Sequence, residues 1–280
     1  MRSERYGEIM ERTPLYIKDN IVNIGENDSS NRFAVDLEKV SSKDLHINVA
    51  SRVSCNILFL NNKDGLDLKF DIKDNASVQF EILAENAAKT MKISANVGYF
   101  SVIRGYFADF INSDCKCEVD VDLDGEGSSI DWHLSSLVNA SYKKEFAVSA
   151  VHKNINTLSQ LDNYGVCQDE AKLIFSGICQ IDKGAHGSKA HQNAKIMIFD
   201  ETSNGIAKPI LKIDENDIEA SHASVVGKIN DEHLFYLTSR GLSEERAKQL
   251  ITFGYLKPIL KGFDDEEIIT HIEDKIEGRI

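Results

Sequence analysis

The chain has 280 residues, 42% apolar and 28% charged. That is enough to bury a sizeable core, in one large domain with an appendage or in two modest ones, and too apolar for a disordered chain. Its formal net charge is -13, from 45 acidic against 32 basic residues, and no run of Lys and Arg is long enough to follow a phosphate backbone, which argues against a nucleic-acid partner.

No apolar run approaches the roughly 20 residues of a membrane span. The five cysteines, Cys55, Cys115, Cys117, Cys167 and Cys179, are an odd count without a C-x-x-C pair. They fit neither a disulfide framework nor a structural zinc site, and read as reduced thiols.

The chain opens on MRSERYGEIMERTPLYIKDN, in which charged residues recur without an apolar h-region, so no secretory signal is expected and a cytoplasmic location follows. Residues 1–40 read as a segment leading into the core, and residues 41–228 as the core itself. Only three prolines occur, Pro14, Pro209 and Pro258, and no Ser/Gly linker interrupts the first 228 residues.

Within the core, alternation of period two recurs. LDLKFDI places Leu66, Leu68, Phe70 and Ile72 on one face, and SVQFEI does the same with Val78, Phe80 and Ile82. CKCEVDVDL sets Cys115, Cys117, Val119, Val121 and Leu123 against Glu118, Asp120 and Asp122, while EFAVSAV and KLIFSGICQI continue the habit. These are half-buried strands.

Turn-forming clusters such as NNKDG, KDNAS and DGEGSS separate them, and no amphipathic helix of crossover length intervenes between residues 40 and 228. A doubly wound α/β fold is thereby disfavoured, and an elongated or layered β domain expected. No strict repeat motif chooses between sandwich, barrel and solenoid.

After Gly227 the apolar spacing becomes helical, and residues 229–280 read as a small helical domain of two or three helices. Ser243 is expected to cap LSEERAKQLITFGYL, with Glu244 and Glu245 in the first turn and Ala247, Leu250, Ile251 and Gly254 on one face. Pro258 should end or kink that helix. DDEEIITHIEDKIEGRI carries Ile268, Ile269, Ile272 and Ile276 at helical spacing.

Candidate chemistry is sparse. Cys115 and Cys117 share one strand face and, like Cys179, read as core packing rather than ligands. Glu118, Asp120, Asp122 and Asp124 could mimic the calcium-binding carboxylates of an exported, carbohydrate-active β-helix protein, although a solvated acidic face is the plainer reading. His186 and His191 stand in a polar stretch read as a loop, without a third ligand. No G-x-S-x-G, Walker-type loop or H-E-x-x-H is present. His222 is flanked by the small residues Ser221, Ala223 and Ser224, which would leave its imidazole reachable.

Three stretches in order, FSGICQIDKGAHGSKAHQNAKIMIFD, KPILKIDENDIEASH and GKINDEHLFYLTSRGLSEERAKQLITFGY, make the segment from about Phe175 to Tyr255 resemble the SufB/SufD family of iron–sulfur cluster assembly scaffolds. The resemblance implies a right-handed parallel β-helix followed by a small α-helical domain, in a non-catalytic scaffold that pairs with a SufB-type subunit, or with itself as a homodimer. It also implies docking of a SufC-type ATPase on the C-terminal helices, for which Leu250, Ile251 and Tyr255 are candidates. ATP would then be bound by that partner and an iron–sulfur cluster held only transiently in the complex.

The chain looks more like the SufD branch. SufB members read E-H-E-A where this chain reads SHAS, and carry a cysteine in a T-Q-C-D motif where this chain reads HQNAK. The resemblance therefore leaves His222 as the iron or cluster-interface candidate, with Ala194 in place of the cysteine and Ala223 in place of a glutamate. The short N-terminus departs from larger members and suggests a minimal form able to self-pair.

Overall fold

The computed structural model describes residues 12–26, 28 and 30–278; the opening of the N-terminal segment, residues 1–11, lies outside them. The first strands are β1 (Thr13–Pro14), β2 (Ile21–Ile24), β3 (Arg32–Asp36), β4 (Asp44–Val49), β5 (Ser54–Leu60) and β6 (Leu66–Ile72). Then come β7 (Ser77–Leu83), β8 (Thr90–Val97), β9 (Val102–Asp109), β10 (Cys115–Leu123), β11 (Ser129–Val138) and β12 (Lys143–His152). The last are β13 (Leu158–Cys167), β14 (Lys172–Ile181), β15 (Ser188–Ile198), β16 (Asn204–Ile213) and β17 (Ile218–Lys228).

Odd-numbered strands form one sheet and even-numbered strands the other, each pairing in parallel with the strand two places on. Consecutive strands thus lie in different sheets, and each turn of the coil adds one strand to each. The fold is a parallel β-solenoid, as the resemblance implies, and not a sandwich of hairpins.

The turn lengthens along the axis. Ser54 pairs with Ser77, 23 residues on; Ser129 pairs with Leu158, 29 on; Leu158 pairs with Lys189, 31 on. A drifting period leaves no fixed repeat for the sequence to display. The core also starts earlier than residue 41, because β1, β2 and β3 already belong to the two sheets. IVNI and RFAVD alternate over only four and five residues, too few to distinguish a strand from chance.

Inside the coil, inward side chains stack in columns. Phe59, Phe70, Phe80, Phe107, Trp132, Phe146 and Phe175 form a chain of ring contacts with centroids 5.1 to 6.5 Å apart. Gly105 lets Phe80 and Trp132 meet, since a Cβ there would lie 2.6 Å from one ring and 2.7 Å from the other. Trp132 Nε1 donates to Asn163 Oδ1 at 3.1 Å.

All five cysteines are buried. Burial pushes the Cys55 thiol up to about 12 and Cys167 to about 11, and raises Cys115, Cys117 and Cys179 as well. Thiols held protonated are poor ligands and nucleophiles, in keeping with core packing.

Three helices follow: α1 (Asp231–Ser239), α2 (Glu244–Leu256) and, after a 3-10 segment from Lys257 to Gly262, α3 (Glu266–Glu277). Ser243 Oγ accepts from Arg246 N, the expected cap, and Asp265 caps α3 through Glu267 N and Ile268 N. Pro258 falls where the α-helix tightens into the 3-10 turn.

The buried stripe of α2 is Ala247, Thr252 and Leu256, with Ile251 and Tyr255 half-buried. Leu250 and Gly254 face solvent instead, which corrects the expected face by one neighbouring stripe. Ile268, Ile272 and Ile276 of α3 are fully covered, each contributing on the order of 1.5–3 kcal/mol of apolar transfer.

These helices do not cap the solenoid. The second and third, with the 3-10 segment between them, turn back along the outer face of the odd-numbered sheet, over Leu58, Leu83, Phe110 and Val166. Ser135 Oγ donates to Leu256 O, Gln79 Nε2 to Gly262 O, and Glu85 takes both His271 and Lys275 of α3 at 2.8 Å. Arg12 closes the arrangement from the other terminus, reaching Glu81 at 2.9 Å and Asp264 at 2.6 Å. Because the helices fold back, the last turn of the coil stays open.

Candidate functional site at the open end of the solenoid

The aromatic column ends at Phe175, and the side chains stacked beyond it are smaller and more polar. One inward column runs Phe80, Gly105, Trp132, Leu161, Gln192 and His222 in strict register. Gln192 is 4% exposed, whereas His222, one strand further, is exposed, because no further turn among the described residues lies over it. The strand alternation that buries Ala190, Gln192 and Ala194 in β15 therefore places His222 and Ser224 of β17 on the inner side of an uncovered end.

Both sheets end here with a free edge. Among the described residues, β17 pairs only with β15, and β16 only with β14. Such edges carry unpaired backbone donors and acceptors and invite another strand. Apolar side chains lie bare beside them: Val225 is 55% exposed, Ile210 43% and Val226 40%. Pro209, which would break a ladder in mid-sheet, is tolerated on the edge strand β16.

The other sequence candidates separate. Ala194 faces inward opposite Ser224, whereas Ala223 faces outward opposite Asn193, so the two alanines do not share a site. T-Q-C-D and HQNAK share a glutamine in second place. Aligned on Gln192, it is Asn193, and not Ala194, that stands at the cysteine's position, and Asn193 is the residue that lies beside Ala223. Asn193 Nδ2 donates to Asp162 Oδ1 at 2.7 Å, at the end of an outward ladder that includes His133 stacked on Tyr106. Either residue lacks the thiolate that iron or persulfide would want.

His191 is in strand β15 rather than in a loop. Its Nδ1 lies 2.8 Å from Ser221 Oγ, while His186 sits 3.3 Å from Glu215. The small residues of SKAHQNAK read as a loop, but Ser188, Ala190 and Ala194 are the inward, buried side of that strand. The acidic face of β10 is laced with lysines: Glu118 with Lys116, Asp120 with Lys92, and Asp122 and Asp124 with Lys153. Among the described residues, no group of three His, Cys, Asp or Glu side chains gathers where it could hold a metal ion. Nor is any helix among them long and apolar enough to cross a membrane.

The helical candidates divide as well. Tyr255 meets Tyr164 edge to face at 5.9 Å, its hydroxyl pushed up to about 12 by burial, and Ile251 packs on the same flank. Leu250 is 39% exposed. Phe235 and Tyr236 of α1, not among the docking candidates expected from the sequence, are 73% and 57% exposed on a helix with no buried residue. Two large aromatics in a charged helix, FYL, were the available signal.

Residues 23–255 match the family described as SUF system FeS cluster assembly, SufBD core domain. The chain is 30% identical over 169 residues to the iron–sulfur cluster assembly protein SufD of Bacillus subtilis, covering 60% of this chain and 39% of that one. It is 32% identical over 133 residues to an iron–sulfur cluster assembly SufBD family protein of Mycobacterium tuberculosis, covering 46% and 16%. With a SufBD family protein of Staphylococcus epidermidis it shares 28% identity over 159 residues, covering 56% and 34%. The matches thus span two-fifths or less of these relatives' lengths.

Proposed function

Because the chain belongs to the SufB/SufD family of iron–sulfur cluster assembly proteins, we propose that it is a SufD-like, non-catalytic scaffold subunit whose open last turn pairs with a SufB-type subunit or with a second copy. The observation that carries this reading is His222 on the inner side of an uncovered, free-edged turn. A partner strand laid on β16 or β17 would satisfy the edge, cover Val225 and Ile210, and bring its own ligands to His222. The nascent cluster is cargo at that junction: imidazole supplies one ligand from this chain, and thiolates come from the partner.

A SufC-type ATPase would dock on the outward side of α1 and α2, where Phe235, Tyr236 and Leu250 lie bare. Ile251 and Tyr255 would hold α2 against the solenoid rather than touch the ATPase. ATP then belongs to the partner.

The test is reconstitution with SufB-type and SufC-type proteins. His222→Ala should leave folding and both associations intact while reducing cluster yield; full yield would end the His222 reading. Phe235→Asp with Leu250→Asp should release the ATPase, and an ATPase retained by a variant that melts like the parent would end the docking reading. Truncating residues 243 to 280 is a poorer test, because it would strip cover from Leu58, Leu83 and Phe110.

A further inference from the structure

On the side where even-numbered strands pass to odd-numbered ones, a backbone N–H ties each corner of the coil to the next. Arg52 donates to Asp74 O, Asn75 to Tyr99 O, Phe100 to Glu126 O, Gly127 to Ile155 O, Asn156 to His186 O and Gly187 to Asp217 O, at 2.7 to 3.1 Å. All six donors have a left-handed backbone, with φ between 51° and 70°. A corner within the coil gives one such bond and receives one. The last, residues 214–217, receives its bond from Gly187 and has no turn beyond it, among the described residues, to which it could give another. It also spans four residues where the corner beneath it, 182–187, spans six, so part of the lower corner has no backbone opposite it.

Glu215 supplies the missing ties with its side chain, which is 11% exposed. One carboxylate oxygen accepts from Gly184 N of the corner beneath at 2.9 Å. The other accepts from Asn216 N and Asp217 N of its own corner at 2.8 and 3.4 Å, with His186 Nδ1 3.3 Å away. These N–H groups, that of Gly184 foremost, hold its carboxyl below the usual glutamate range. Hydrogen bonds to an ionised acceptor are roughly twice as strong as neutral ones.

We propose that Glu215 is the clasp of the last turn: its carboxylate binds the final corner to the one beneath, and keeps β17 in register on β15 while nothing covers the open end. Both oxygens are needed, because each faces N–H groups that only an acceptor can meet. β17 begins at Ile218, three residues after Glu215, so fixing the corner fixes the start of the strand that carries His222. The open end is thereby preformed, and a strand arriving there meets an ordered edge. That such a strand comes from a scaffold partner rests on the functional reading above; the clasp does not.

Amide hydrogen exchange on the full, uncomplexed chain at neutral pH reads the clasp residue by residue. Gly184, Asn216 and Asp217 should be protected in the parent. Glu215→Gln keeps the shape but replaces one acceptor with a donor. It should lower their protection roughly ten-fold, the effect of losing a hydrogen bond to a charged group, and lower it also at the Ile218 end of β17, while β11 and β13 exchange as in the parent. Asp214→Asn removes a carboxylate from the same corner and should leave all these amides unchanged.

Equal protection in the parent and in Glu215→Gln would overturn the proposal, as would parent amides that exchange at the rate of an unstructured chain. Equal losses from Asp214→Asn would overturn it too, since they would mark an effect of net charge. The two readings fail separately: a chain that pairs with neither a SufB-type subunit nor a second copy would end the scaffold reading and leave these exchange rates standing.

Discussion

His152, at the end of β12, is fully buried, with Nδ1 2.7 Å from Thr157 Oγ1 and Nε2 2.8 Å from Ser159 Oγ. Burial lowers its pKa from 6.5 to about 4, so the folded chain keeps it neutral where the unfolded chain takes up a proton. Above the unfolded value neither state binds a proton and there is no effect. As pH falls below about 6.5, the unfolded state gains protons first, and stability is lost until the folded ring titrates as well. By pH about 5 that difference amounts to about 2 kcal/mol.

Urea denaturation of the parent and of His152→Gln at pH about 7 and 5 isolates the contribution, because the other titrating groups are common to both. Glu81 in particular, raised by burial, acts in the opposite sense, since its folded state binds protons more readily. The parent should lose about 2 kcal/mol more than the variant between the two conditions. Equal losses would refute the reasoning. The result also bounds the assays of His222, which are cleanly read only above pH about 7, where His152 is neutral folded or unfolded.

Gly105→Val should lower the melting temperature through overpacking between Phe80 and Trp132, at a cost of about 1–3 kcal/mol, and an unchanged melt would show that the rings can separate. Arg12→Met leaves the Glu81 carboxyl buried without its cation. It should cost about 3 kcal/mol or more in urea unfolding, with Arg12→Met combined with Glu81→Gln recovering part of the loss. Additive effects of the two substitutions would show that the pair is not coupled.

Much of the local structure was legible from residue types alone. Alternation in LDLKFDI and CKCEVDVDL marked β6 and β10, because a strand with one buried face has side chains of period two whatever sheet it joins. Ser243 and the carboxylates after it marked the start of α2, because a cap is satisfied within one turn. The family was legible between Phe175 and Tyr255, the stretch in which the quoted motifs fall in order, and the family match extends it back to residue 23.

Contacts between distant residues are what the tertiary structure decided. A turn that lengthens from 23 to 31 residues hides the solenoid from any fixed-period search, since the hydrogen bonds of the ladder fix register between neighbours and leave corner length free. Register alone tells that Ala223 lies beside Asn193 and not Ala194, and that His222 stands over Gln192. Whether Leu250 or Ile251 faces solvent depended on which stripe of α2 met the solenoid wall, because two adjacent stripes of one helix satisfy the same spacing. Residue types by themselves determined strands, caps and family; only the fold-back of the helices along the sheet decided that the last turn, and His222 with it, stays open.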